Sequence, residues 1–307
     1  MNRRASPDRG HPDETDLRPG QSIELLKELH ILTRDGKLNQ DSRRKLKQVY
    51  HLVQFIEALL RELPAREGGP TLVDHGAGKS YLGFILYDLV LQPRGGGWVV
   101  GVETRPELVE RSRALALRLG FERMRFLPLR AAQAIEAPEV PAQVDLVTAL
   151  HACDTATDEA IDFGLARQAR GLVLVPCCQA EVAGWLRQHK ALDLARTPLA
   201  ELWRHPIHTR EIGSQLTNVL RCLYLEACGY QVTVTELVGW EHSLKNELIL
   251  ARWTGQRKRS AARRLRALLA EFGLQGLEST RFGRLPPDAA DDPWGGPAAE
   301  ADAERPV

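Results

Sequence analysis

Between residues 71 and 176 the chain alternates short, uninterrupted apolar runs with helical patterns, and this rhythm limits the folds open to it. Strands are expected at Thr71–Asp74, Trp98–Glu103, Met124–Leu129, Val144–Leu150 and Gly171–Pro176, with helices near 79–91, 106–119, 131–136 and 156–169. Strands that are apolar throughout, rather than at every second residue, suit a parallel sheet covered by helices on both faces. The fold class expected is therefore α/β, doubly wound. After Pro176 a helix is expected over about 180–190 and a longer one from about Thr209 to Cys228. Two closely spaced strands follow at Gln231–Leu237 and Glu247–Trp253, the last expected to run antiparallel.

The ends of the chain differ in character. Residues 1–20, rich in Pro, Asp and Arg, read as a disordered leader, and 21–66 as an N-terminal helical segment. The α/β domain spans 67–255, a basic amphipathic helix 256–273, and a disordered acidic tail 274–307. No apolar run reaches the roughly eighteen residues that a bilayer span requires, and the start lacks an apolar signal region. Five scattered cysteines do not make a disulfide framework, so a cytoplasmic protein with reduced thiols is expected. A net charge of +1 makes any nucleic-acid contact a matter of local patches, namely Arg43 to Lys47 and Arg257 to Arg266.

The sharpest local motif is Val73-Asp74-His75-Gly76-Ala77-Gly78-Lys79-Ser80, placed between a strand and a helix. Paired glycines let the backbone turn tightly and approach a ligand lying over the helix start. A phosphate loop would need glycine where Val73 stands, and a dinucleotide turn would need a small residue where Tyr81 stands. An acid closing the strand and a Gly-x-Gly after it fit the turn of S-adenosylmethionine-dependent methyltransferases. Asp74, Gly76, Ala77, Gly78 and Lys79 are therefore candidate cofactor residues. Glu103, at the end of the second strand, is the candidate acceptor of both ribose hydroxyls, with Thr104 and Leu150 bordering the site. No metal is expected.

The fourth and fifth strands end in Leu150-His151-Ala152-Cys153-Asp154-Thr155-Ala156-Thr157-Asp158 and Pro176-Cys177-Cys178-Gln179. With the glycine turn and Glu241-His242-Ser243-Leu244-Lys245-Asn246-Glu247-Leu248-Ile249, these runs resemble the methyltransferase superfamily of the eukaryotic acceptor-stem tRNA 2′-O-methyltransferase. That superfamily also holds methyltransferase-domain proteins with a Cys-Cys pair. The resemblance covers residues 37 to 253. It implies a class I methyltransferase (Rossmann-like) fold, S-adenosyl-L-methionine as cofactor and RNA as partner. Unlike the tRNA enzyme, this chain has Gln179 after its cysteine pair and no cysteine in residues 1–70.

Methyl transfer from a sulfonium needs an aligned nucleophile and a place for a proton. His151 and Asp154 are the candidates for positioning or deprotonating the acceptor, with Gln179 as hydrogen-bonding partner. Cys153 and Cys177 admit another chemistry, that of RNA cytosine-5 methyltransferases, in which a thiolate activates the pyrimidine. That family has Pro before its fourth-strand cysteine, where this chain has Ala152. Zinc at Cys153, Cys177, Cys178 and His151 lacks a Cys-x-x-Cys pair, and small thiols packing around a ligand explain these residues better. A small-molecule or protein methyltransferase and a non-catalytic binding module are the other classes considered.

Overall fold

A computed structural model describes residues 17–64, 67–150, 152–176, 179–189, 198–237 and 247–287. His151, Cys177, Cys178 and the 288–307 tail lie outside the described residues.

The strands are β1 (Thr71–His75), β2 (Trp98–Val102), β3 (Met124–Leu127), β4 (Leu146–Leu150), β5 (Gly171–Val175), β6 (Tyr230–Glu236) and β7 (Glu247–Trp253). They form one sheet in the order β3-β2-β1-β4-β5-β7-β6. β1 to β5 are mutually parallel, and β7 runs antiparallel to both β5 and β6. Every residue of β1 and of β5 is buried, as their apolar runs require. Relative to the sequence expectation β3 ends two residues earlier, after Leu127.

Successive strand residues point to opposite faces, and the two faces build two cores. Val73, Val100, Val147, Leu172, Leu174 and Ile249 pack on one side. Leu72, Val99, Leu146, Val173, Val175 and Leu248 pack on the other. The second face is covered by α1 (Ile23–Glu28), α2 (Gln40–Glu62), α3 (Tyr81–Leu86) and α4 (Pro106–Arg118). α3 continues into a π-helical turn at Tyr87–Leu91. α2 starts where the Asn39 side chain accepts the Ser42 amide at 2.7 Å, and it buries Leu46, Leu52, Val53, Ile56 and Leu60.

The first face carries α5 (Ala131–Ala134), α6 (Thr155–Ala166), α7 (Glu181–His189), α8 (Pro206–Ala227), α9 (Arg259–Glu271) and α10 (Gly276–Arg281). α9 is the basic helix of the sequence reading. Its apolar stripe of Ala261, Ala262, Leu265 and Leu269 is buried. Ordered chain continues past the expected start of the tail at residue 274, because Leu274, Leu277 and Phe282 are apolar anchors on the core.

α7 and α8 meet closely at Gly213, where an added Cβ would lie 2.7 Å from the Ala183 amide nitrogen and 2.8 Å from its Cα. Gly213→Ala is expected to force the two helices apart and lower stability by about 1–3 kcal/mol in urea unfolding. An unchanged midpoint would mean that the contact yields freely.

Candidate active site

β1 ends one residue past Asp74, and Gly76 and Gly78 turn the chain with φ of +63° and +57°. Only glycine adopts this left-handed backbone without a steric penalty. The Ala77 amide bonds to the Val102 carbonyl at 3.2 Å, which draws the turn against the end of β2. Ser80 is also left-handed, with φ of +51°, and starts α3. Lys79 is exposed beside the turn.

Glu103 follows β2 directly and faces the turn, because Gly78 donates its amide to Glu103 Oε2 at 2.8 Å. The Thr104 hydroxyl and the Arg105 amide donate to Oε1 at 3.3 and 3.1 Å. The Arg105 guanidinium spans both oxygens, with Nε 3.0 Å from Oε1 and Nη2 3.2 Å from Oε2. Burial pushes the Glu103 pKa up, but the Arg105 guanidinium and the two amides outweigh it, so the carboxyl sits below its usual range. This donor set suits a nucleoside cofactor: a charged carboxylate beside a glycine turn whose backbone is open to close approach. No group of three metal-binding side chains occurs among the described residues.

Asp74 and His75 lie beneath the turn, both 2 % exposed. Burial raises the Asp74 pKa from 3.8 to about 6; the Thr148 hydroxyl, donating at 2.6 Å, opposes this rise and the Glu103 charge adds to it. Burial pushes His75 the other way, from 6.5 down to about 3. Its ring packs edge-on against Phe163 at 4.3 Å, and neither nitrogen has a hydrogen-bond partner among the described residues.

At the β4 end Asp154 takes φ of 52° and ψ of −125°, a backbone state that costs a non-glycine residue energy. Its carboxylate holds the conformation. Oδ1 accepts the amides of Ala180 and Glu181 at 3.0 and 3.2 Å, so the loop after β4 caps α7 in the segment after β5. Cys153 beside it is exposed, and Leu150 closes β4 opposite Val175.

A buried network on α8 ties these loops together. Arg221, 1 % exposed, grips Asp158 through Nε and Nη2, both at 2.7 Å. Its Nη2 also donates to the Asp154 carbonyl at 2.8 Å, and its Nη1 to Asn218 Oδ1 at 3.2 Å. Asn218 Oδ1 accepts from Gln179 Nε2 at 2.7 Å, and Asn218 Nδ2 donates to Glu247 at 2.6 Å. Ser214 donates to Gln179 Oε1 at 2.9 Å. At the α7 start Glu181 receives a two-pronged contact from Arg281 at 2.6 and 2.7 Å.

The geometry thus brings Asp74, Gly76, Ala77, Gly78, Lys79, Glu103 and Thr104 around one turn, and joins Asp154 to Gln179 through α8. Sequence reasoning missed Arg105, Ser214, Asn218 and Arg221. A signal existed for the last two, since Asn218 and Arg221 are polar residues on a helix stripe that includes Leu220, Tyr224 and Leu225. Cys222 and Cys228 are remote from the turn, on and just after α8. Burial raises their thiols to about 12 and about 11, which keeps them protonated at neutral pH.

Arg221→Met leaves the buried Asp158 charge unpaired and is expected to cost about 3–5 kcal/mol of stability in urea unfolding. Arg221→Met with Asp158→Leu should recover most of that loss, and an additive double variant would count against the pairing. Asp74 gives a pH signature. The folded state holds its proton more tightly than the unfolded chain, so the stabilising contribution is complete below about pH 4 and is lost as pH rises through about 6. The stability of wild type relative to Asp74→Asn should therefore fall by about 3 kcal/mol between acidic and neutral pH. A difference flat across that window would show an ordinary carboxylate.

Residues 44–184 match the model of a family described as a methyltransferase domain. No curated protein sequence matches the chain significantly. Among solved structures, an rRNA methylase from Streptococcus thermophilus is similar at 11 % identity and a TM-score of 0.39, over 66 % of this chain and 95 % of that one. Magnesium protoporphyrin IX methyltransferase from Synechocystis PCC 6803 is similar at 16 % identity and a TM-score of 0.41, over 76 % and 94 %. TrmK of M. capricolum is similar at 6 % identity and a TM-score of 0.39, over 67 % and 73 %. Residues 44–184 thus match a methyltransferase domain, and they lie in a Rossmann-like α/β fold of the class I methyltransferase kind, whose seven-stranded sheet carries the antiparallel β7 between β5 and β6.

Proposed function

We propose that this chain methylates RNA, a tRNA or rRNA, at a ribose or base position. The observation that carries the cofactor half is the Gly78 amide bonded to Glu103, which sets the glycine turn and the carboxylate on one ligand. In this reading Glu103 accepts the ribose hydroxyls, with Thr104 and Leu150 at its border. Gly76, Ala77 and Gly78 present backbone to the amino-acid portion, and Lys79 and Asp74 flank it. The bound cofactor supplies an electrophilic methyl group on a sulfonium.

The acceptor loses a proton as its oxygen or nitrogen takes the methyl group, and His151, adjoining β4, is our candidate to receive it. Asp154 acts as a positioning residue, since its carboxylate is engaged by α7 amides. Gln179 is held by Ser214 and Asn218 and is the hydrogen-bonding partner in this reading. Cys153 borders the acceptor side.

The RNA half rests on the motifs shared with the tRNA 2′-O-methyltransferase superfamily and on exposed cationic side chains. The two basic clusters lie on opposite faces of the sheet, one on α2 and the other at and before α9. Lys258 and Arg264 pair with Glu226, and Arg266 with Glu278. Arg257, Arg259 and Arg263 remain the phosphate contacts of choice in the second cluster.

Calorimetry with S-adenosylhomocysteine tests the cofactor half: Glu103→Ala should weaken binding by roughly 1.5–3 kcal/mol. Labelled-methyl transfer onto total RNA tests the other half and should fall steeply as salt rises. Intact cofactor binding with no label on RNA would return the small-molecule and protein acceptors to first place.

A further inference from the structure

The hydrogen-bonding capacity of Glu103 is already spent. An ionised carboxylate offers about four lone-pair positions, and five donors converge on this one: the Gly78 and Arg105 amides, the Thr104 hydroxyl, and the Arg105 Nε and Nη2 groups. A ribose diol brings two further donors, and the carboxylate has no open position for them. The backbone amides are fixed by the glycine turn and by the start of α4, so they cannot leave without unfolding local structure. The Arg105 side chain can. It is 58 % exposed, and among the described residues its guanidinium hydrogen-bonds to Glu103 alone, with the Glu107 charge nearby. It also lies over the turn, with Nη2 3.8 Å from the position a Cβ on Gly78 would take. The guanidinium thus stands where a nucleoside held by Glu103 and Gly78 must go.

We propose that Arg105 is a displaceable internal occupant of the cofactor site, which seals Glu103 in the free protein and swings into solvent when a ribose diol replaces it. The inference rests on the reading of Glu103 as the ribose acceptor. The exchange draws on the exposed end of the pair: the Arg105 side chain is 58 % exposed and the Glu103 side chain 7 %, so salt screens the attraction in part, and the ribose hydroxyls replace the lost contacts at the buried oxygens. Its consequence is a site that selects ligands able to satisfy both carboxylate oxygens. A ligand presenting no vicinal hydroxyls has nothing to exchange for the arginine fork.

The mechanism makes a prediction that ordinary binding residues do not. Adenosine is neutral, so salt acts on its affinity chiefly by weakening the competing Arg105–Glu103 pair. Calorimetric titration of adenosine and of S-adenosylhomocysteine is compared for wild type, Arg105→Ala and Arg105→Gln, at about 0.1 M and about 1 M salt, where the screening length falls from about 10 Å to about 3 Å. Both variants should bind adenosine about two- to fivefold more tightly than wild type at low salt, the range of a single half-exposed ion pair. Wild type should tighten towards the variants at high salt, while the variants stay unchanged. Equal or weaker binding by both variants, with the same salt response as wild type, overturns the proposal and makes Arg105 a partner of the ligand. If Glu103→Ala binds both ligands as tightly as wild type does, the ribose-acceptor reading itself fails, and this inference falls with it.

Discussion

A parallel sheet buried on both faces has no solvent-facing side on which to place chemistry, and that constraint organises this protein. Each residue of β1 and β5 is inside, so a polar group in the strands must find its own partner or lie at a strand end. Thr148 and Asp74 illustrate the first outcome, with the hydroxyl of one strand bonded to the carboxylate of its neighbour. Glu103, Asp154 and Gln179 illustrate the second. All three lie just beyond the carboxyl ends of β2, β4 and β5, where open α/β sheets receive their ligands.

Strand ends are joined by loops, and loops need fixing if a site is to hold its shape. On the β1–β2 side the fixing is local: the glycine turn is bonded to the β2 end and to Glu103 within 25 residues of chain. On the β4–β5 side it comes from outside the sheet. α8 buries Arg221 among apolar neighbours, and that charge is tolerated because Asp158 meets it with both oxygens and Asn218 and the Asp154 carbonyl each take a further N–H. The same helix holds Gln179 through Ser214 and Asn218. A methyl-transfer site needs the acceptor aligned to within a fraction of an ångström. A rigid helix bonded to both loops supplies such a reference.

The two basic clusters are separated by the sheet, which bears on the RNA substrate proposed above. α2 packs with α3 and α4, whereas α9 packs with α8 on the far face. If the proposed RNA neutralises both clusters, it must contact helices on both faces of the sheet. Ion pairing within the α9 cluster reduces it further, leaving a compact group rather than a continuous stripe.

The strand–helix alternation, the glycine turn and Glu103 were legible in the sequence because each depends on neighbours a few residues away. Apolar runs report double burial, and a Gly-x-Gly after an acid reports backbone geometry. Asp154 was singled out as chemical, and its engagement with the Ala180 and Glu181 amides lay beyond sequence reach because those partners are 26 and 27 residues distant. Arg221 and Asp158 are 63 residues apart, and their pairing exists only once α6 and α8 lie on the same face. Leu277 and Phe282 sat within an expected tail, since a few apolar residues among polar ones do not announce an anchor without the core they enter. Local spacing by itself determined the fold class and the glycine turn. Tertiary structure alone decided which loops are tied together, which charges are paired and which faces the cations occupy, because burial and pairing between distant residues follow from packing rather than from order along the chain.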